Sequence, residues 1–237
     1  ARMGDGTVDQ QKPSFFWQIA DDGWPVLALA GLLTILLTIM FVPLGTFALG
    51  MFVWLSHILR VPSRTTPQSA AVIVAPADGR VTEITKVAQT NEFDPQVTEA
   101  LRITIRTSLS DVQLQMAPIE GRVTDNFAIP GLFGGYEDMA AARTDNERRE
   151  ITLTRDDGLS VMVVQRGGKT ARQLVCRHHV GRFLRRGTPL GMARLAGVVE
   201  VFIPADCTPQ IAVGQHVLAG ETAIARLPLR GRRRPSG

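Results

Sequence analysis

Residues 24–59 form a stretch of 36 residues that contains no Asp, Glu, Lys or Arg. A single straight helix of this length would measure about 54 Å, whereas the hydrocarbon core of a bilayer is about 30 Å thick. Because the Pro-Leu-Gly sequence at 43–45 is typical of a helix end, a hairpin fits the stretch better. We predict a helical hairpin over 24–60, either two tilted transmembrane spans or a re-entrant loop. A buried helix pair in a soluble protein is the alternative.

A hairpin returns the chain to the side of the membrane that it left, so the N-terminal tail (1–23) and the rest of the chain would share one compartment. The positive charges of Arg60 and Arg64 at the hairpin exit favour the cytoplasmic side. The only cysteines, Cys176 and Cys207, give no disulfide framework, as is usual in a reducing compartment. We predict a cell-membrane protein whose soluble domain lies on the cytoplasmic side.

Positive charge is concentrated in two parts of the chain. The formal net charge is +4, but without the five arginines of the last twelve residues it is −1. A second acid-free stretch, 169–199, holds seven cationic residues. Such clusters attract anionic lipid near a bilayer, whereas no motif indicates a nucleic-acid partner. A solvated tail without a partner is the alternative for the C-terminal arginines. The candidate lipid-binding residues are Arg177, Arg182, Arg185 and Arg186.

The part of the chain after the hairpin contains a near-repeat, APADGRV at 75–81 and APIEGRV at 117–123. Each copy is a proline-led turn followed by alternating apolar residues, and the later segment VGQHVLAGETAIA at 213–225 indicates a hairpin. These patterns predict a mainly β fold, a compact antiparallel barrel-sandwich (lipoyl/biotinyl-like) domain. Strands are predicted at 71–74, 101–105, 151–153, 160–165 and 198–203, and a short helix at 137–148. The predicted organisation is a tail at 1–23, the hairpin at 24–60, a linker at 61–70, the β-domain at 71–228 and a basic tail at 229–237.

The repeated turns are also similar to those of biotinyl and lipoyl carrier domains. Carrier domains present a modifiable lysine at a hairpin tip, beside Met or Ala. After the hairpin this chain has only Lys86 and Lys169, and neither lies in such a setting. A carrier function is therefore a minor alternative.

Several segments, taken in order, resemble the short membrane-anchored form of phosphatidylserine decarboxylase. They are the apolar hairpin, the PADGRV turn, LRITIRTSLSDVQLQMAPIEGRV at 101–123, DNER at 145–148, GMARLAGVVEVFIP at 191–204 and VGQHVLAGETAIARL at 213–227. The resemblance implies a membrane lyase of phospholipid metabolism that makes phosphatidylethanolamine. It also implies a pyruvoyl group made from a Gly-Ser pair, in which the serine hydroxyl attacks the preceding carbonyl and elimination then leaves the pyruvoyl group at the new chain end.

Three positions match those that carry the family's chemistry. Asp78 corresponds to the acid that orients a histidine base. That histidine belongs to a D/N-V-H-x-N-R-x-P pattern, which reads DVQLQMAP at 111–118, so Gln113 stands in its place. Ala196 and Gly197 stand in place of the Gly-Ser cleavage pair. Glycine has no oxygen to start the acyl shift, and a glutamine amide accepts no proton near neutral pH.

Neighbouring residues offer no evident substitute for the missing serine and histidine. No serine occurs at 162–234. His178 and His179 lie in a basic segment and are interpreted as surface residues or headgroup contacts. His216 is interpreted as a partly exposed turn residue.

Two acidic residues have structural interpretations as well. An aspartate in a Pro-x-Asp-Gly turn commonly caps its own backbone, so a turn-forming role is the alternative for Asp78. Glu200 is interpreted as a strand carboxylate, with Arg194 as a candidate partner.

The sequence thus predicts a phosphatidylserine decarboxylase homologue that does not cleave itself and binds phospholipid, such as phosphatidylserine, instead of decarboxylating it. A homo-oligomer, or a mixed oligomer with an active decarboxylase, is a candidate assembly. No cofactor and no metal site are expected, although active relatives would carry pyruvoyl. The alternatives are an active decarboxylase that uses another route and a structural adaptor at the membrane surface.

Overall fold

The computed structural model describes residues 18–19, 24–61, 64–91, 94–176 and 178–228. Most of the predicted N-terminal tail and the predicted basic tail at 229–237 lie outside the described residues. Arg177, one of the candidate lipid-binding residues, also lies outside them.

The predicted hairpin is present, but its break is not at 43–45. Helix α1 (Trp24–Met40) and helix α2 (Val42–Ile58) are separated by Phe41 alone, which has an extended backbone. Pro43 lies in the first turn of α2, where its missing N–H costs nothing and its fixed φ suits a helix. Gly45 lets the helices approach closely, since a Cβ there would lie 2.5 Å from the Cα of Thr38.

Most of the hairpin surface is apolar and exposed, while its base is packed against the β-domain. Leu27 and Leu59 form a buried cluster with Val112, Leu114 and other domain residues. Within the described part of the chain, no helix combines the length and apolar character needed to cross a membrane. Large apolar side chains at least half exposed in the hairpin include Leu29, Leu32, Leu33, Ile35, Leu36, Ile39, Met40, Phe41, Val42, Phe47, Leu49 and Val53.

The rest of the described chain is almost entirely β-structure, as predicted. The strands are β1 (Gln18–Ile19), β2 (Arg60–Val61), β3 (Val72–Val74), β4 (Gly79–Asn91), β5 (Asp94–Thr107), β6 (Leu114–Met116), β7 (Gly121–Ile129), β8 (Arg148–Thr154), β9 (Ser160–Arg166), β10 (Leu174–Val175), β11 (Phe183–Leu184), β12 (Pro189–Ala193), β13 (Gly197–Pro204), β14 (Thr208–Pro209), β15 (His216–Val217) and β16 (Ala223–Arg226).

Eight of these strands form a curled antiparallel half-barrel in the order β11-β7-β8-β9-β13-β5-β4-β15. Two three-stranded sheets have the orders β10-β12-β6 and β14-β16-β3. One short helix, α3 (Met139–Asp145), lies between β7 and β8 and is capped by Asp138.

The two APxxGRV repeats lie next to each other and are related by an approximate two-fold symmetry. Val74 N–H donates to Pro118 O at 3.0 Å, and Met116 N–H donates to Pro76 O at 2.8 Å. These bonds join equivalent positions of the two repeats in both directions. The sequence repeat therefore corresponds to a repeat of structure.

Each repeat pairs with a Val-Gly-x5-Gly segment, at 213–220 for the first repeat and at 180–187 for the second. Gly214 N–H donates to Val81 O, and Gly181 N–H donates to Val123 O, both at 2.8 Å. The first glycine of each segment has φ +90°, and the last glycines have φ +72° and +71°. Sequence reasoning found only the segment at 213–220, although the same glycine spacing marks the other.

Alternating apolar residues of the strands fill the inside of the half-barrel. Ile151 and Leu153 of β8 are fully buried, while Thr152 between them is partly exposed. Strand β13 differs, because its residues 197–201 are buried on both faces. The first five residues of this central strand, which begins at Gly197, are therefore enclosed by protein. The largest fully buried core residues of the sheets include Ile73, Ile103, Ile105, Ile151, Leu153, Ile203 and Ile224.

Candidate functional site

The fold brings two of the replaced positions into direct contact. Gln113 lies just before β6, is 2% exposed, and accepts a hydrogen bond from Ala196 N–H through Oε1 at 2.6 Å. Its Nε2 donates to Ser108 O at 3.0 Å and to Asp111 O at 2.6 Å. The residue at the histidine position is thus bonded to the residue that precedes Gly197.

Gly197 begins β13 and pairs with Thr107 of β5. A Cβ at this position would lie 3.4 Å from the Cβ of Ala171 and 3.4 Å from Arg166 O, which are ordinary contact distances. The strand therefore has room for a Cβ at residue 197.

Asp78 is buried but has two partners other than Gln113. Its Oδ1 accepts from Ala219 N–H at 2.7 Å, and its Oδ2 accepts from Arg64 Nη2 at 2.6 Å. Burial raises the pKa of Asp78 above its ordinary value, and the bonds from Ala219 and Arg64 only partly oppose that rise. Arg64, within the linker at 61–70, therefore supplies the counter-charge of Asp78.

A second acid beside the site was not singled out from the sequence. Asp111 Oδ1 lies 3.2 Å from His216 Nε2, and its Oδ2 accepts from Ser108 N–H at 2.8 Å. His216 is half exposed, as predicted, but it lies in strand β15 and pairs with Arg80 of β4, so its assignment to a turn is wrong. Its side chain contacts the turn that holds Gln113. The only sequence signal for this pair was the acid within DVQLQMAP, which gave no indication of a partner about a hundred residues later.

The described candidate lipid-binding arginines differ in their surroundings. Arg182 and Arg185 are exposed, whereas Arg186 is partly buried. Arg186 Nη1 donates to Pro67 O at 3.0 Å and to Ser69 O, so this guanidinium fastens the linker to the domain. Lipid binding by these residues stays a prediction.

Glu200 is fully buried three residues into β13, and its partners are not the one suggested by the sequence. Its Oε2 accepts from Arg166 Nε at 2.6 Å, and its Oε1 accepts from Arg143 Nε at 2.7 Å. The proposed pairing with Arg194 is wrong, because the side chain of Glu200 lies on the face covered by α3. An acid in the apolar run VVEVFI signalled a buried ion pair, but the sequence could not identify the partners.

A second carboxylate extends this ion cluster across the sheet. Glu83 of β4 accepts from Arg102 Nη2 at 2.7 Å and from Arg143 Nη2. Burial alone would raise the pKa of Glu83, but the bonds from Arg143 and Arg102 outweigh burial and lower it to about 2. Strands β4, β5, β9 and β13 are thereby tied to α3.

The DNER segment has a structural role next to this cluster. Asn146 is 3% exposed, and its Nδ2 donates to Gly134 O at 3.1 Å and to Gly167 O at 2.9 Å. Its Oδ1 accepts from Gly134 N–H at 3.0 Å. This side chain joins the loop before α3 to the residue that follows β9.

Comparison with known proteins agrees with the resemblance drawn from the motifs. The family model for phosphatidylserine decarboxylase matches residues 52–225. A phosphatidylserine decarboxylase proenzyme of Ruegeria pomeroyi is 32% identical over 219 residues, which cover 92% of this chain and 99% of the relative. A proenzyme of the same name from Paramagnetospirillum magneticum is 31% identical over 214 residues, which cover 90% of this chain and 89% of the relative. Another, from Mycobacterium avium, is 38% identical over 169 residues, which cover 71% of this chain and 70% of the relative.

A match over more than half of the chain, together with relatives above 30% identity, shows the family. The chain belongs to the phosphatidylserine decarboxylase family. The matched range includes Asp78, Gln113 and the Ala196–Gly197 pair.

We expect Glu200→Gln to lower the free energy of unfolding by about 3–5 kcal/mol, because it removes the carboxylate that pairs with the buried Arg166 and one of the two carboxylates that pair with Arg143. Glu150→Gln is the matched control, since Glu150 pairs with Arg148 where both side chains are more than a quarter exposed. The control should lose no more than about 1 kcal/mol. Urea unfolding of the full chain in detergent measures both variants, and equal losses would contradict the importance of the buried cluster.

We expect Glu83→Gln to be less stable than the wild type at pH 7 by about 1–2 kcal/mol, allowing for solvent screening of a side chain one-third exposed. The pKa of Glu83 is lowered on folding, so its contribution is complete above about pH 4.5 and is lost as the pH falls towards about 2. The stability difference between variant and wild type should therefore shrink over this window in urea unfolding. A difference that stays constant from pH 7 to pH 3 would contradict the assignment.

Proposed function

We propose that this chain is a membrane-located homologue of phosphatidylserine decarboxylase that remains a single chain and binds phospholipid without decarboxylating it. The observation that carries the proposal is Gly197, which has no side-chain oxygen at the position where a pyruvoyl group would be made. The residues present do not fit the formation of that group.

The contacts of Gln113 support the same conclusion. Its carboxamide is bonded to backbone groups at both ends, and an amide accepts no proton near neutral pH. A base at this position is needed to activate a hydroxyl nucleophile. The loss of the base and the loss of the nucleophile affect one catalytic unit, so neither replacement compensates for the other.

The hairpin supports a membrane location and access to lipid. Its exposed apolar surface leads to the end of the hairpin that packs on the β-domain, where Leu27 and Leu59 pack with Val112 and Leu114. These two domain residues flank Gln113 in the sequence. Acyl chains lying along the hairpin would therefore bring a headgroup close to the former catalytic position.

The basic loop supports contact with an anionic lipid surface. Arg182 and Arg185 are exposed. Phe183, which lies between them, is 44% exposed, and Val180, just before them, is 58% exposed. Cations next to exposed apolar side chains suit the interface of an anionic bilayer. We also propose that the β-domain lies on the cytoplasmic side, and that the chain forms an oligomer with itself or with an active decarboxylase. The two-fold repeat supports the further proposal that the domain is of the barrel-sandwich kind.

The test of the proposal is the covalent state and activity of the purified chain. We expect one band at full mass on a denaturing gel, and no release of carbon dioxide from phosphatidylserine above a no-protein control. Two fragments divided between Ala196 and Gly197, with a ketone at the new end, would overturn the proposal. Carbon dioxide release by an uncleaved chain would favour an active decarboxylase that uses another route.

A restored site provides the matched positive control. The triple variant Gln113→His, Ala196→Gly and Gly197→Ser should divide into two fragments, because the strand has room for a Cβ at residue 197. Gly197→Ser alone should remain whole, since it still lacks the base. If the triple variant also remains whole, the three replaced residues are not sufficient to explain the loss of cleavage.

We expect the full chain in detergent to bind short-chain phosphatidylserine more tightly than short-chain phosphatidylglycerol, which has the same net charge. Calorimetric titration measures both. Arg182→Gln with Arg185→Gln should weaken binding of both lipids by up to about fivefold per removed cation, whereas the control Arg172→Gln should not. Equal affinity for the two lipids would contradict headgroup recognition and favour the structural adaptor.

A further inference from the structure

The turn before β13 holds two residues in a conformation that their side chains disfavour. Leu195 has φ +64° and Ala196 has φ +68°, in the left-handed region that residues with a Cβ rarely adopt. Leu195 is 42% exposed, so burial of its side chain in the core does not hold it there. Such conformations persist only where the surrounding structure determines them. Some contact must therefore fix this turn.

The carboxamide of Gln113 contacts this turn at Ala196, and Gln173 O accepts from Arg194 N–H at its start. The end of the amide that faces Ser108 O and Asp111 O must be the NH2 group, because both neighbours are acceptors. The opposite end must then be the oxygen, and it faces Ala196 N–H at 2.6 Å. The neighbouring groups therefore determine which end of the amide is the nitrogen and which is the oxygen. The residue is only 2% exposed.

The platform on which Gln113 stands is itself fixed. Asp111 N–H donates to Ser108 O at 3.2 Å, Asp111 Oδ2 accepts from Ser108 N–H at 2.8 Å, and Oδ1 contacts His216. These bonds hold the turn at 108–111 in place independently of Ala196. A bond between a fixed platform and a left-handed turn restrains the turn.

We propose that Gln113 is a positioning residue that clamps the turn at 194–197 and keeps Leu195 and Ala196 in the left-handed conformation. Glutamine offers two donors and an acceptor at the required reach, whereas a neutral histidine offers one of each and a glutamate offers only acceptors. The residue at the histidine position has thus acquired a structural task. The inference rests on the proposed function only in treating 196–197 as the former cleavage position.

Limited digestion with trypsin tests the clamp directly, because Arg194 precedes the turn and its peptide bond is cut only when the turn opens. In the full chain in detergent, Gln113→Leu should speed the appearance of a fragment beginning at Leu195 by about 5- to 150-fold. Gln115→Leu is the matched control, since Gln115 is equally buried and its amide oxygen bonds Gln165 instead. The control should change this rate by less than about threefold.

Two further variants separate a clamp from a general contribution to stability. Gln113→Asn keeps the polar groups but is one methylene too short, so amide hydrogen exchange at Ala196 should accelerate even if Gln113→Leu does not fold. Glycine tolerates a positive φ, so in the background of Ala196→Gly the change Gln113→Leu should accelerate cleavage after Arg194 less than in the wild type.

Cleavage and exchange at 194–197 that stay at the wild-type rate in both Gln113 variants would overturn the clamp. Cleavage that rises in step after the buried Arg166 would also overturn it, because that result means global unfolding. The proposed function fails by a different result, a wild-type chain that is already divided at 196–197, so the two failures can be told apart.

Discussion

The buried carboxylate of Glu200 is the interaction on which the central sheet depends. With both oxygens enclosed by protein, its charge is tolerated only because Arg166 and Arg143 each donate to one of them. These bonds join β13 to β9 and to α3, and Glu83 extends the connection to β4. Because Glu200 lies three residues after Gly197, the same ion cluster holds the first half of β13 against β9 and α3.

The polar side chains of Asp78 and Gln113, which the sequence singled out, both have partners. Asp78 has Arg64 and a backbone N–H as partners, and Gln113 uses both ends of its amide. Buried polar groups without partners are costly, so these contacts stabilise the fold. The partners come from the linker, from a neighbouring turn and from the turn before β13. These side chains are consequently part of what holds the domain together.

Sequence patterns predicted the local structure well where a local cause decided it. The strands at 151–153 and 198–203 followed from alternation, and the short helix predicted at 137–148 spans 139–145. The APxxGRV repeat corresponds to a repeat of structure. The break at 43–45 was wrong, because proline is as well suited to the first turn of a helix as to its end. The partner of Glu200 was wrong because it lies on another element of the sheet.

The sequence by itself determined the alternation that makes a mainly β domain, the charge-free hairpin, and the absence of an oxygen at residue 197. Those features are properties of single residues or of neighbours along the chain. Only the tertiary structure decided that Gln113 meets Ala196, 83 residues further on, and that Glu200 meets Arg143 and Arg166. Such contacts depend on sheet register and on the curl of the half-barrel, which bring distant residues within hydrogen-bonding distance and leave no periodic mark in the sequence.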